Sequence, residues 1–156
     1  MSSVEINGYN TKEKLRCSIQ DLPEGIWGHA AIDSTNGTLY CGGMTYTSGG
    51  YSTSKKCWRL NDQIKWRKFK PLKSPRSYFT ISQINNRLVA VGAYERFGNK
   101  ASQRNSLEYM DLGSDNDWKE KTLADLYIDH HCSVTFKDQF ILLIGGQING
   151  KVNEIT

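Results

Sequence analysis

Three short apolar runs, each ending on glycine, recur along this 156-residue chain at nearly even intervals. Leu39-Tyr40-Cys41-Gly42-Gly43 is repeated 50 residues on by Leu88-Val89-Ala90-Val91-Gly92-Ala93, and 53 residues later by Ile141-Leu142-Leu143-Ile144-Gly145-Gly146. Other markers keep the period. Trp66 recurs as Trp118, 52 residues later, and Cys57-Trp58-Arg59-Leu60 matches Glu108-Tyr109-Met110-Asp111. Ser3-Val4-Glu5-Ile6 and Val152-Asn153-Glu154-Ile155 align with Ser106-Leu107-Glu108-Tyr109, and Leu15 to Ile19 falls in register with the segment around Trp66. A repeat of this length constrains a fold more than any composition does, because each unit must bury its apolar face on its neighbours.

The segments inside each period read as strands: four to eight residues, rich in Val, Ile, Tyr, Phe and Trp, bounded by Gly, Asn, Asp and Ser. In the middle unit strand a is expected at Ser77–Ile84, and Asn85-Asn86 is a two-residue turn suited to positive φ. Strand b covers Arg87–Gly92, apolar enough to be buried on both faces. A polar loop, Glu95–Arg104, leads to strand c at Ser106–Leu112 and strand d at Asp117–Lys121. A short helix at Leu123–Ile128 is the one rival element. The preceding unit has the same order, with its turn at Asn36-Gly37, its b–c loop at Met44–Ser54 and strand d at Ile64–Phe69; Pro71 and Pro75 punctuate the link. Four strands every fifty residues point to propeller blades rather than a sandwich with accidental spacing.

Composition agrees with an ordinary globular chain. Hydrophobic residues are 38%, aromatics 11%, and the formal net charge is +4. Aromatic content is too high for disorder, and the charge too small to imply nucleic acid or an acidic membrane. The longest apolar run, Phe140–Ile144, is far short of a bilayer span, and Met1–Lys14 lacks the apolar core of a signal peptide.

The repeat resembles the kelch motif. The middle unit shows it best, with Pro75-Arg76 leading in, Val89–Gly92 as the strand ending in glycine, Tyr109 on the third strand and Trp118 on the fourth. Arg76 stands 16 residues before Gly92, the family's spacing. The flanking units keep Gly42-Gly43 and Gly145-Gly146 but place Ile26 or Trp27, and Asp129, where the arginine belongs; Ala93 replaces one glycine. The resemblance implies an all-β fold: a kelch-type β-propeller segment of four-stranded antiparallel blades in an incomplete ring. It casts the glycines as sites of backbone crowding near the channel, Trp66 and Trp118 as wedges between blades, and Arg76 as a tether to nearby carbonyls.

The expected organisation is a single partial propeller over residues 1–156. Residues 1–22 supply the third and fourth strands of one blade (Val4–Ile6 and Leu15–Ile19). Blades follow at 26–70 and 76–122, and 130–156 begins another, with a strand c starting at Val152–Ile155. About three blades fall short of the four or more of a closed ring. Two explanations stand: a piece of a larger propeller, or a homodimer joining two sets of three into a six-bladed ring.

Candidate sites are few. Cys41 ends strand b and Cys57 begins strand c, side by side across the hairpin and within reach of a disulfide. A bridge would imply an oxidising compartment and favour an extracellular location; two reduced thiols in a cytoplasmic propeller are the alternative. Cys17 and Cys132 have no evident partner. Asn36-Gly37-Thr38 is a glycosylation sequon at a hairpin tip, a pattern that arises readily by chance. Lys65, Arg67, Lys68, Lys70, Lys73 and Arg76 read as a solvated face protecting a blade edge rather than a phosphate site. His130-His131 with His29 could suggest a metal, but adjacent strand residues point to opposite faces, so a repeated packing position is the better reading. No cofactor is expected.

Two b–c loops stand out. Thr45–Lys56 is rich in Tyr, Ser and Gly, a composition common in adaptable binding loops, and Tyr94–Arg104 is its counterpart in the next blade. Tyr46, Tyr51, Tyr94, Arg96, Phe97 and Arg104 are the candidate partner-binding residues, on loops projecting from one face. The expected function is a non-catalytic module binding another protein there, with self-association as a second mode. The alternatives are a fragment of a galactose-oxidase-like or carbohydrate-acting enzyme, although no copper-ligating arrangement of that kind recurs here, and a purely structural extracellular repeat.

Overall fold

The computed structural model describes residues 21–113 and 117–152, together with the backbone of residues 7–9 and 16–18. The described residues are all β, with no helix, and are arranged as blades of a propeller. A two-stranded hairpin, β1 (Asn7–Tyr9) and β2 (Arg16–Ser18), comes first. The first complete blade contains β3 (Ala30–Ser34) and β4 (Gly37–Cys41). A hairpin of β5 (Met44–Thr47) and β6 (Gly50–Thr53) then leads to β7 (Cys57–Leu60) and β8 (Trp66–Phe69). The second repeats the scheme with β9 (Thr80–Ile84) and β10 (Arg87–Val91), the hairpin β11 (Tyr94–Phe97) and β12 (Lys100–Gln103), then β13 (Ser106–Asp111) and β14 (Lys119–Thr122). The last unit contains β15 (Ile128–Asp129), β16 (Cys132–Phe136), β17 (Phe140–Ile144), β18 (Gln147–Ile148) and β19 (Lys151–Val152). Sheet orders β3-β4-β7-β8 and β9-β10-β13-β14 are simple antiparallel meanders, and β16-β17 is the corresponding inner pair of the last unit.

Several expected boundaries move. Strand a of the middle unit begins at Thr80, not Ser77, because Tyr78 takes a left-handed φ of 51° that no strand accommodates. Strand d starts at Trp66, because Ile64 is left-handed (φ 57°) in the turn, and its counterpart starts at Lys119. Both polar b–c loops are hairpins. No helix forms at Leu123–Ile128, where Asp125 has φ 53° and Ile128 enters β15. Val152 does not begin strand c: β19 pairs with β18, making a third hairpin like the other two. The N-terminal strand expected at Val4–Ile6 lies outside the described residues, as do Leu15, Ile19 and residues 153–156, while Arg16–Ser18 is a strand as expected.

Packing between blades supplies the core. On one side of the second blade, Ile81, Leu88, Ala90, Met110, Leu112 and Trp118 meet Ala30, Leu39, Cys41 and Cys57 of the first. On its other side Val89 and Val91 meet Ile141 and Leu143. Strand alternation makes this possible, since successive residues of β10 serve opposite neighbours. Trp118 is the wedge the sequence suggests: it is buried, and its indole N–H donates to the Lys70 carbonyl at 3.1 Å. Trp66 is only half-buried, packed edge-on against Tyr40 at 5.1 Å.

The glycines mark where one blade's lead-in crosses the end of its neighbour's strand b. A Cβ on Gly42 would lie 2.3 Å from the Arg76 carbonyl oxygen, and one on Gly92 2.3 Å from that of Ile128. Both residues are left-handed (φ 67° and 72°), so no other residue fits.

Arg76 is fully buried and ties the second blade together. Its guanidinium donates to the carbonyls of Gly92 (2.8 Å) and Ser106 (2.9 Å), the tether the resemblance implied. It also pairs with the buried Glu108 carboxylate at 2.9 Å and with Glu120 at 3.2 Å. Arg76 therefore does not belong to a surface basic patch. Lys65, Arg67, Lys68, Lys70 and Lys73 are exposed; Arg67 and Lys68 lie on β8, the outermost strand of its blade.

Candidate functional site

Within each antiparallel blade the a–b and c–d turns share one end, and the b–c hairpins and lead-in segments share the other. At that second end the hairpins of the two complete blades merge into one four-stranded sheet, β12-β11-β6-β5. The seam pairs Phe97 with Ser52. Around it the Gly98 N–H donates to the Tyr51 carbonyl (3.0 Å), and the Arg96 N–H donates to the Thr53 hydroxyl (2.8 Å). Lead-in segments brace the base through bridges Trp27–Met44 and Ser77–Tyr94. A surface that composition marks only as loops is thus a sheet spanning two blades.

Its aromatic side chains are unevenly placed. Tyr46 and Tyr51 face each other across β5–β6 at 5.2 Å, with 71% and 39% exposure. Phe97 is 77% exposed. Arg96 is half-buried, with its guanidinium over the Tyr51 ring at 4.7 Å. Tyr94 and Arg104 serve the framework instead. The Tyr94 backbone carbonyl accepts from the Ser77 hydroxyl and its ring stands edge-on to Tyr78 at 6.2 Å, while Arg104 is paired with Glu95 (2.9 Å) and Glu120 (3.5 Å). Burial raises the pKa of Glu120, but hydrogen bonds from Ser106 and Ser74 and the charges of Arg76 and Arg104 outweigh it, so the carboxyl stays below its ordinary value.

Sequence reasoning missed Trp27 as part of this face. Its ring is exposed and stands edge-on to Tyr51 at 5.6 Å. The signal was present, an aromatic in a polar lead-in, but the position was assigned to the missing arginine. Tyr78 was also missed, and His130 was weighed only as a metal ligand. Both are left-handed, at corresponding places before strand a, and their rings stack at 3.9 Å.

The remaining candidates separate cleanly. Cys41 and Cys57 are paired across β4–β7 and form a disulfide. Cys132 is an exposed free thiol. Asn36 is exposed at the β3–β4 turn, on the end opposite the hairpin sheet. Tyr109 lies on β13 with Arg87 above its ring at 4.8 Å. His130 and His131 lie between strands rather than on one. His130 pairs with Asp129 at 2.9 Å, and His131 bonds the Thr80 hydroxyl at 3.0 Å. Burial pushes the His131 pKa down, reinforced by His130 and opposed by Asp129. Among the described residues, no group of three or more His, Cys, Asp or Glu side chains is placed to hold a metal.

The fold and this face define a β-propeller segment with a hairpin sheet on one end. No family model and no curated protein matches the chain. A solved structure with the same fold is that of YjhT, with a TM-score of 0.72 at 17% identity over 92% of this chain. The chain spans 45% of YjhT's length.

Proposed function

We propose that the chain is a kelch-type, non-catalytic module that binds another protein through the hairpin sheet of β5, β6, β11 and β12. The observation that carries this reading is the aromatic cluster of Trp27, Tyr51 and Tyr46 on one face of a braced sheet, with Phe97 exposed on its other face beside Ser52. Such rings offer contact area at low entropic cost because the sheet already fixes their backbones. Large exposed aromatics grouped in one place are unusual on a surface without a partner. The Cys41–Cys57 disulfide supports an oxidising, extracellular setting for that encounter.

The test begins with proteins retained by the immobilised chain and ends with one purified partner measured by calorimetry. Tyr46→Ser and Trp27→Ser should each weaken binding at least tenfold. Asn85→Ser, at the opposite end, should leave it unchanged. Equal affinities for all three would reject the face.

A further inference from the structure

Asn36-Gly37-Thr38 is the one place in the chain where serine or threonine stands two residues after an asparagine. Such a triplet alone carries little weight; the turn it occupies carries more. Thr35 and Asn36 form the two-residue tip between β3 and β4, where Ser34 pairs with Gly37. Gly37 is left-handed, with a φ of 98°. The Ser34 hydroxyl closes the turn, donating to the Gly37 carbonyl at 2.8 Å and accepting from the Asn36 N–H at 3.3 Å. Thr35 is held toward the second blade: its N–H donates to the Gln83 side-chain carbonyl at 3.2 Å, and its hydroxyl accepts from the Gln83 amide at 3.3 Å. These bonds fix the tip and leave Asn36 exposed at its apex.

The second blade offers a direct comparison. Asn86 holds the same place 50 residues on, in a blade packed on both sides, and it too is exposed. Exposure therefore belongs to the turn itself. The two asparagines differ in what their amides do. The Asn86 side-chain amide donates to the Leu112 carbonyl, and that of Asn85 donates to the Asp138 carbonyl at 3.1 Å. Asn61 and Asn149 also hold turns, accepting from the backbone N–H groups of Lys65 (2.9 Å) and Tyr127 (3.2 Å). Among the described residues the Asn36 side chain makes no hydrogen bond, and only its backbone N–H serves the turn.

We propose that Asn36 is the acceptor of an N-linked glycan. The donor is a lipid-linked oligosaccharyl diphosphate. A bond forms between Asn36 Nδ2 and the anomeric carbon of the first sugar, and the bond from that carbon to the diphosphate oxygen breaks. The lipid diphosphate leaves with the electron pair, and one amide proton passes to solvent. Secretory compartments that glycosylate also oxidise thiols, and the Cys41–Cys57 disulfide lies in this same blade. Glycosylation at Asn36 thus depends on the oxidising setting proposed above and not on the hairpin face. Asn36 sits at the end opposite the β12-β11-β6-β5 sheet, so a glycan there leaves that face clear.

Peptide mapping of the protein isolated from its own cells should find the glycan on Asn36, and enzymatic deglycosylation should remove a mobility shift on gels. Asn36→Gln alters an exposed side chain that holds nothing, so it should abolish the shift and keep the β spectrum. Thr38→Val should abolish the shift as well. Thr38→Ser should retain it, together with a hydroxyl for Asp33, to which the Thr38 hydroxyl donates at 3.1 Å. A bare Asn36, or a shift that survives Asn36→Gln, overturns the proposal. Non-reducing mapping of Cys41 and Cys57 in the same digest separates the two premises. An intact disulfide beside a bare Asn36 rejects the glycan alone, whereas free thiols beside a bare Asn36 reject the oxidising setting with it.

Discussion

Removing the Arg76 guanidinium should destabilise the chain more than any other single charge deletion. Arg76→Met keeps the aliphatic stem and deletes five hydrogen bonds, to Glu108, Glu120, the Ser106 hydroxyl and the carbonyls of Gly92 and Ser106. Glu108, with a side chain 0% exposed, would keep only the backbone N–H groups of Lys73 (2.6 Å) and Ser74 (3.0 Å). A buried carboxylate stripped of its cation costs about 3–5 kcal/mol, a large part of the roughly 5–15 kcal/mol that holds a domain together. Urea unfolding followed by circular dichroism measures this as a lower midpoint at unchanged slope. Lys70→Met is the control: it deletes only the exposed pair with Asp117 at 3.1 Å and should cost under about 0.5 kcal/mol. Adding Glu108→Gln to Arg76→Met removes the stranded charge while keeping an acceptor for a backbone N–H, so the double variant should regain about 1 kcal/mol or more. An Arg76→Met midpoint within about 1 kcal/mol of wild type would refute the tether's role.

Three further outcomes are expected. Gly92→Ala should cost about 3 kcal/mol or more by urea unfolding, since it meets the Ile128 carbonyl as well as the left-handed penalty; Gly145→Ala, where a Cβ meets nothing within 4 Å, should cost only about 1 kcal/mol. Trp118→Ala should cost about 3–5 kcal/mol, against about 1–2 kcal/mol for the half-exposed Trp66→Ala in the same assay. His131 has a folded pKa below its unfolded value of about 6.5, so the unfolded chain binds the extra proton and its stabilising contribution is lost as pH falls below that value. Thermal unfolding between pH 7.5 and 5.5 should therefore fall less steeply for His131→Gln than for wild type.

The blade period was legible because glycine-terminated strands and wedge tryptophans answer to contacts between units, and those contacts recur whenever the unit does. The hairpins were not. Met44–Thr47 and Gly50–Thr53 are short and rich in Thr, Ser and Gly, with little of the apolar alternation that marks a strand packed on a core. They are strands because backbone groups pair along and between hairpins, which leaves little trace in side-chain pattern. Glu108 was hidden differently. It occupies a buried position in the alternating β13, where an acid looks like a solvent-facing residue until its cation, 32 residues earlier, is seen beneath it. The disulfide was half legible: strand order put Cys41 opposite Cys57, but two thiols in that place would read the same. Among the candidate binding residues, composition could not distinguish the outward Tyr46 and Phe97 from Tyr94 and Arg104, because that depends on position along each hairpin: Tyr94 and Arg104 sit at its base against the blade, Tyr46 and Phe97 toward its tip.

The most direct test of the stacked-blade arrangement is a bridge between residues 51 positions apart. With Cys17 and Cys132 replaced by serine, Ser82→Cys and Ser133→Cys should oxidise in the folded monomer to an intrachain disulfide, because the native hydroxyls touch at 2.7 Å. Mass spectrometry after alkylation should find both engineered thiols blocked to the reagent. Full alkylation of both in the native, oxidised protein would mean that β9 and β16 do not lie face to face and that the blades are not stacked as described.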